Sequence, residues 1–444
     1  MIIYKFGGVS VKDASGIKNI CQIIGNAKCP LTVVISAIGN TTNLLEALVE
    51  AYFSGNDKLR ELLNQVKKNH TSLIHDLFEE VPEQVLTDVN ALFIELETKI
   101  TKPSSDQFNF EYDQVIGFGE LLSTTIVSAY LNQIGQNNEW VDVRTCLDSD
   151  DNYVDANILW ESSKEKVCTR FTKNQNTLYI TQGFIASDPK GNTTSLGREG
   201  SDYTAAILAH LLDAEKMIIW KDVLGILNAD PDYFENTTKL DTIPYHEAIE
   251  LSYYGASVIH PKTIKPLQAK QIPLWVKSFI EPNQNGTLIT KGERPQPLLP
   301  NYIVKKQQVL VSLKPLNFSF ISEKDMVFIF SLVTKFRIKL NFTQNTAVSF
   351  VFCVNTSARN WKDLAVELEK YYEVEITENL ELITVRHYTS ATIKEIQFKH
   401  HVLGEQKNRN TAIYLIDTNW NFPHIPKKEF ESALRDFSFQ ENLE

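Results

Sequence analysis

The hydrophobic pattern of residues 1 to about 290 switches repeatedly between two periods. Short apolar runs, Ile2-Ile3-Tyr4, Leu31-Thr32-Val33-Val34-Ile35-Ser36, Trp140-Val141-Asp142-Val143, Thr177-Leu178-Tyr179-Ile180-Thr181, Met217-Ile218-Ile219-Trp220 and Ile272-Pro273-Leu274-Trp275-Val276, alternate with stretches of helical spacing. Runs without a polar face belong to strands buried on both sides, so the pattern predicts an α/β domain whose sheet is covered on both faces. Between about 46 and 105 apolar residues recur every three to four positions (Leu48, Tyr52, Leu59, Leu62, Leu63, then Leu73, Ile74, Leu77), which predicts a helical excursion beside the sheet.

The densest cluster of structure breakers follows: Pro282, Gly286, Gly292, Pro295, Pro297 and Pro300 place a domain boundary there. Beyond it the texture changes. Strands are expected at 309–313, 318–321, 338–342 and 347–354, a helix at about 325–336, a second helix carrying Trp361, Leu364, Leu368 and Tyr371, and a strand at 380–386. That order predicts a ferredoxin-like βαββαβ α+β unit at about 315–376. A second, shortened unit must be assembled from about 303–314 plus 377–418, because one clear helix (about 389–398) precedes the run from Asn410 to Ile416. The tail after Trp420 is polar and weakly patterned. Such units appended to an enzyme suggest a small-ligand sensor or a dimer contact.

At 444 residues the chain exceeds one core and should hold two or three domains. No apolar run approaches the ~18 residues of a membrane span, and the N-terminus carries no signal-peptide pattern. Five cysteines (Cys21, Cys29, Cys146, Cys168, Cys353) lie far apart without Cys-x-x-Cys, which predicts reduced, buried thiols, a cytoplasmic protein and no zinc site. A net charge of −11 argues against nucleic acid as the main partner. An anionic substrate then requires a locally basic pocket.

Several windows carry candidate chemistry. Lys5-Phe6-Gly7-Gly8 closes the first apolar run, and glycines without Cβ let backbone N–H groups approach phosphate oxygens while Lys5 supplies a charge. Taken alone, the window reads first as a tight turn beside a surface lysine. Ser36-Ala37-Ile38-Gly39-Asn40-Thr41-Thr42-Asn43 follows the second run, at the end of a strand where open α/β sheets bind ligands. Gly119-Glu120 sets a carboxylate inside an apolar segment. The richest window, 182–206, contains Gly197-Arg198-Glu199-Gly200-Ser201-Asp202 ahead of an apolar helix: Arg198 offers a bidentate fork to a carboxylate, and Ser201 and Asp202 open a helix end that favours anions. Trp220-Lys221-Asp222 and Asn228-Ala229-Asp230-Pro231-Asp232 repeat an acid, a base and a turn at another strand end, and His260 before Pro261 reads as a packed, hydrogen-bonded residue. No Ser/His/Asp or Cys/His constellation is present.

In this order the windows resemble the aspartate kinases, within the wider amino-acid kinase fold, over nearly the whole chain. The resemblance implies a three-layer αβα catalytic domain with a mostly parallel sheet over 1–290, and ACT-type regulatory modules over 301–444, including Gln344-Asn345-Thr346 before a strand. It implies phosphoryl transfer from MgATP to the side-chain carboxylate of L-aspartate, at the entry to lysine, threonine and methionine synthesis. Lys5 is then expected at the transferring phosphoryl, with Gly7, Gly8 and Ser36 donating to phosphate. Arg198 is expected on the α-carboxylate of aspartate, Glu120 on its α-ammonium, and Thr42 and Ser201 as orienting groups. Asp202 would position Lys5 or the metal–phosphate array, and Asp222 and Asp230 fall on the nucleotide side. No protein-only metal site is implied.

Departures from the family pattern are Val9, Glu199 (often Gly), Lys221 (usually Thr), Leu227 (commonly Tyr), Asp232 (commonly Arg) and Ser257 (Lys in several members). The last two remove positive charge near ATP, which Lys221 or Lys262 would restore. Alternatives are a kinase of another amino-acid carboxylate and a catalytically weak amino-acid-binding regulator. The length leaves no room for a fused dehydrogenase. Lysine or threonine is the expected effector and a homodimer or larger homo-oligomer the expected assembly.

Overall fold

The continuous apolar runs form the middle of one sheet. The computed structural model describes the chain except for residues 172–176, 257–258, 318, 359 and 419–444. Ser257 and the polar tail therefore lie outside the described residues. The chain divides into two units, Met1–Asn228 with Glu235–Leu298, and Ala229–Phe234 with Leu299 onward.

In chain order the first unit contains β1 (Ile2–Phe6), α1 (Ala14–Gly25), β2 (Leu31–Ile35), α2 (Thr41–Ser54), α3 (Leu59–Leu77), α4 (Glu83–Thr101), α5 (Phe108–Ile116), α6 (Phe118–Gln133), β3 (Glu139–Val141), α7 (Trp160–Arg170), β4 (Leu178–Gln182), the hairpin β5 (Ile185–Ser187) and β6 (Thr193–Ser195), α8 (Gly200–Leu211), β7 (Lys216–Lys221), β8 (Thr242–Pro244), α9 (Tyr245–Tyr254), α10 (Pro261–Lys270), β9 (Leu274–Ser278) and β10 (Thr287–Thr290). Eight strands form a sheet of order β3-β4-β2-β1-β7-β9-β10-β8, in which only the β9–β10 pairing is antiparallel. The helical stretch after residue 46 is α2 through α4.

Every residue of β1, β2 and β4 is buried, as strands covered on both faces must be. Their register places Phe6 opposite both Ile35 and Trp220, and Ile35 opposite Gln182. The carboxyl ends of four neighbouring strands therefore reach the same edge. The chain lays β2 and β4 on one side of β1 and returns to lay β7 and β9 on the other. That reversal makes the end of β1 a topological switch point, where open α/β sheets form their ligand crevice.

The second unit contains β11 (Asn301–Pro315), α11 (Glu323–Lys335), β12 (Phe342–Asn345), β13 (Phe350–Asn355), α12 (Trp361–Glu369), β14 (Tyr372–Arg386), α13 (Ser390–Lys399), β15 (Val402–Lys407) and β16 (Thr411–Asp417). They form one antiparallel sheet of order β12-β13-β11-β14-β16-β15. The long strands β11 and β14 each serve two ferredoxin-like halves. The later part of β11 and the earlier part of β14 combine with α11, β12, β13 and α12, over a core including Val311, Ile329, Phe352 and Leu364. The earlier part of β11 and the later part of β14 combine with α13, β15 and β16, over Ile383, Val385, Ile396 and Tyr414. Between the parts β11 is bulged: Gln307 takes φ +53° and the register shifts on either side of Gln308. Gln308 is fully buried and its amide is satisfied there, donating to Asn355 Oδ1 at 2.6 Å and accepting from Asn341 Nδ2 at 2.8 Å.

Three expectations need correction. Of the strand expected at 318–321, residue 318 lies outside the described residues and 319–321 are not strand; the first strand of the unit is β11. Ser319 N–H donates to Asn317 Oδ1 at 3.2 Å, Phe320 stands 73% exposed, and Ser322 begins a capping box with Asp325, so turn and cap chemistry overrides the apolar pattern. The strand expected at 338–342 starts only at Phe342, and β15 was not anticipated. The cysteines are free, but Cys29 and Cys168 are exposed rather than buried. Cys29 stands in the turn ahead of β2. Among the described residues no helix is long and apolar enough to cross a membrane.

Leu364, 1% exposed in the core of the first half, tests that packing. Leu364→Ala is expected to cost about 2–5 kcal/mol, read from urea unfolding.

Candidate active site

The strand-end loops and the start of α8 enclose a cavity of about 530 Å³, whose lining includes Lys5, Ser36, Thr42, Glu120, Arg198, Ser201, Asp202 and Lys221. Eight of the expected site residues thus meet in one place, within the first unit. At its floor Lys5 Nζ lies 2.7 Å from Asp202 Oδ1, with side chains 11% and 4% exposed. Lys5 comes from the end of β1 and Asp202 from the first turn of α8, where the helix dipole favours a carboxylate.

Close backbone packing sets the loops around the cavity, though Gly7 and Gly8 are absent from its lining. A Cβ on Gly8 would come within 2.8 Å of Ala37 O, so only glycine lets the turn after β1 pack under the loop after β2. A Cβ on Gly183 would sit 2.4 Å from that of Ser201, so the loop after β4 lies directly against the first turn of α8. A Cβ on Gly7 would come 3.3 Å from Lys5 Nζ, which places the Gly7-Gly8 backbone beside the ammonium.

Glu120, in the first turn of α6, is 4% exposed. Its Oε1 accepts from Ala37 N–H at 3.3 Å, while Oε2 has no hydrogen-bond partner among the described residues. Burial pushes its carboxyl up to about 8, against the opposing pull of the Ala37 N–H and the Lys5 charge. A buried carboxylate with an unused oxygen is a receptor for a cation. Arg198 is exposed at the rim, the opposite charge in the same cavity. A cation and an anion together match a zwitterionic free amino acid.

Other expected residues lie elsewhere. Asp222 is exposed just past β7 and is absent from the cavity lining. Lys262 forms an ion pair with Asp155. Asp230 belongs to the second unit, where its Oδ1 accepts from Asp232 N–H at 2.9 Å. His260 caps α10, its Nδ1 accepting from Lys262 N–H at 3.2 Å ahead of Pro261.

Sequence reasoning missed Glu46, Tyr112, Val154 and Phe184, all of which line the cavity. Glu46 was within reach, one helical turn beyond Thr42 on α2, and its Oε1 accepts from Tyr112 OH at 2.8 Å. Val154 and Phe184 take φ +76° and +69°, which nothing in a non-glycine residue announces. Each is pinned through its N–H: Val154 donates to Asp113 Oδ2 and Phe184 to Thr204 Oγ1, both at 2.9 Å. Asp113, fully buried, also accepts from the Ser195 N–H and hydroxyl, and burial still pushes its carboxyl up to about 6.

The amino acid kinase family model matches residues 1–278. Lysine-sensitive aspartokinase 3 of Escherichia coli (strain K12) is 30% identical over 405 residues, 87% of this chain and 86% of that protein. The bifunctional aspartokinase/homoserine dehydrogenase of Daucus carota is 33% identical over 300 residues, 65% of this chain and 32% of that protein's length. Among solved structures, E. coli aspartokinase III in complex with aspartate and ADP (R-state) matches with TM-score 0.81 at 26% identity, covering 94% of this chain and 96% of that one. The lysine and aspartate complex (T-state) of the same enzyme matches with TM-score 0.79 at 27% identity, covering the same shares of the two chains. The chain belongs to the amino acid kinase family. Within that family it falls among the aspartokinases, and its second unit is of the ACT type.

The Glu120 shift sets a stability signature. Its folded-state pKa, about 8, lies above the ordinary 4.5, so its favourable contribution is fully present below about 4.5 and is lost as pH rises through 8. Glu120→Gln removes that titration. The melting temperature of the variant, relative to the unaltered protein, should therefore climb as pH is raised from about 5 to about 9, as thermal melts across pH will show.

Proposed function

We propose that the chain transfers the γ-phosphoryl group of ATP to the side-chain carboxylate of L-aspartate, giving 4-phospho-L-aspartate and ADP. The observation that carries this reading is the buried Lys5–Asp202 pair in a cavity that also presents Arg198 and Glu120. A side-chain carboxylate has a pKa of about 4 and is already ionised near neutral pH, so its oxygen attacks without a general base. The protein's tasks are to hold two anions in line and to neutralise the charge that develops on the phosphoryl oxygens.

Arg198 clamps the α-carboxylate and Glu120 the α-ammonium, while Thr42 and Ser201 orient the amino acid. The β-carboxylate then points toward Lys5. Lys5 Nζ, held by Asp202, meets the transferring phosphoryl, and Gly7, Gly8 and Ser36 donate to phosphate oxygens. Lys221, on the cavity wall, adds positive charge on the nucleotide side, and Asp222 adjoins it. For Lys262 to serve ATP it would have to exchange Asp155 for phosphate.

Magnesium would arrive on the nucleotide, held chiefly by its phosphates with one or two protein carboxylates. Asp202 would sit beside that array, its Oδ1 already paired with Lys5 Nζ at 2.7 Å. Magnesium bound there would supply positive charge to neutralise the nucleotide phosphates.

For the second unit we assign lysine as effector, on the likeness to an enzyme named as lysine-sensitive and solved with lysine. A homodimer is the assembly we expect. Val327 and Val366, 71% and 59% exposed on α11 and α12, offer it apolar surface.

Hydroxylamine trapping of the acyl phosphate, with aspartate, glutamate or N-acetylglutamate as acceptor, tests the reaction; turnover with another acceptor in preference to aspartate would overturn it. Arg198→Ala is expected to raise the aspartate KM roughly ten- to hundredfold, matching the ~1.5–3 kcal/mol of a charge-assisted hydrogen bond. Lys5→Met should lower kcat by about 10²–10³. Because ionised Glu120 receives the ammonium, the aspartate KM should fall as pH rises from about 6 to about 8, and Glu120→Gln should abolish that dependence.

A further inference from the structure

Arg198 sits between two residues in the left-handed region, Gly197 at φ +77° and Glu199 at φ +55°. Glycine adopts that conformation freely, but a residue with a side chain is strained there by about 1 kcal/mol or more. Glu199 occupies the N-cap position of α8, yet its side chain makes no cap hydrogen bond to that helix. The carboxylate reaches elsewhere. Its Oε2 accepts from the backbone N–H of His260 at 2.8 Å, across 61 residues of sequence, at the residue that caps α10. A second tie runs in parallel, since Lys262 in the first turn of α10 is paired with Asp155, and a Cβ on Gly197 would come 2.6 Å from Asp155 Oδ1.

We propose that Glu199 is a positioning residue, which fixes Arg198 for its substrate carboxylate by anchoring the 197–200 loop to the start of α10. This rests on the reading of Arg198 as the aspartate clamp. The backbone bonds that open α8, Gly200 N–H to Gly197 O at 3.0 Å and Tyr203 N–H to Glu199 O at 3.1 Å, are available to any residue. The Glu199 side chain therefore contributes the link to His260. Losing that link frees a rim arginine to sample other orientations, and the lost pre-organisation appears as weaker substrate binding. The Lys5–Asp202 pair, on β1 and inside α8, keeps its place.

The experiment compares Glu199→Gly, Glu199→Gln, Arg198→Ala and the Glu199→Gly/Arg198→Ala double variant by steady-state ADP release and thermal melting of the full chain. Glu199→Gly is expected to raise the aspartate KM roughly three- to tenfold, about one hydrogen bond's contribution, with kcat within about twofold. Its melting temperature should not fall, because glycine relieves the strain. Glu199→Gln, whose amide oxygen accepts the same hydrogen bond, should restore most of the lost affinity. In the Arg198→Ala background Glu199→Gly should add nothing further.

An unchanged KM in Glu199→Gly overturns the proposal. So does a lowered melting temperature with kcat and KM both impaired, which would mark a merely structural role, or an additive loss in the double variant. Failure of Arg198→Ala to raise KM overturns the clamp reading itself. Arg198→Ala raising KM while Glu199→Gly is silent overturns only the role of Glu199.

Discussion

The ion pair between Lys5 and Asp202 is the constraint around which the first unit is arranged. Removing two charges from water costs several kcal/mol each, and their attraction offsets that only when the geometry is held closely. Here it is held by the end of a fully buried strand and the first turn of a helix, 2.7 Å apart at the charged atoms. A buried pair of this kind adds little net stability, because desolvation offsets the attraction. This one does fix where β1 ends relative to α8, and other contacts of the cavity depend on that relation. The close approach of Gly183 to Ser201 sets the loop after β4 against the same turn of α8.

The pair also explains the behaviour of the second buried carboxyl. The Lys5 ammonium is engaged by Asp202, so Glu120 receives only part of its field and burial prevails. Two carboxyls in one cavity thereby differ in character: Asp202 is paired with Lys5, while burial raises that of Glu120. The surrounding loops carry backbone strain in support. Val154, Phe184 and Glu199 all have positive φ, all line the cavity, and each is held by a hydrogen bond to a different element. Strain of this kind persists only where neighbours over-determine the conformation, and here it surrounds the cavity.

Much of this was legible in the sequence, and the reason is topological. Parallel strands buried on both faces leave continuous apolar runs, and ligand groups collect where those runs stop, so Lys5, Ser36, Lys221 and the Arg198–Asp202 window stand at readable positions. Glu46, Tyr112 and the Asp155–Lys262 pair were hidden because they depend on which helices and loops pack together, and Asp155 and Lys262 lie 107 residues apart. Left-handed backbone at valine and phenylalanine has no compositional sign. In the second unit the sequence of 318–321 resembles a strand, but at 319–321 an Asn317 turn and a Ser322 cap claim the backbone first. The full lengths of β11 and β14 were hidden too, because a bulge at Gln307–Gln308 interrupts the alternation of β11 and Asn379, at φ +61°, interrupts that of β14.

Those two long strands make the second unit a nested object. The chain begins one module at Asn301, leaves it at the bulge to build the whole of the other, and resumes the first only near Leu380. In genetic terms the inner module is an insertion within the outer one. The two points where it enters and leaves lie on adjoining strands, with Gln308 paired to Leu380 and Lys305 to Leu382. No contiguous stretch of sequence encodes the outer module, so a truncation that starts after Lys305 strips it of an edge-covering strand. An excision that rejoins the two strands across their pairing would leave its sheet complete.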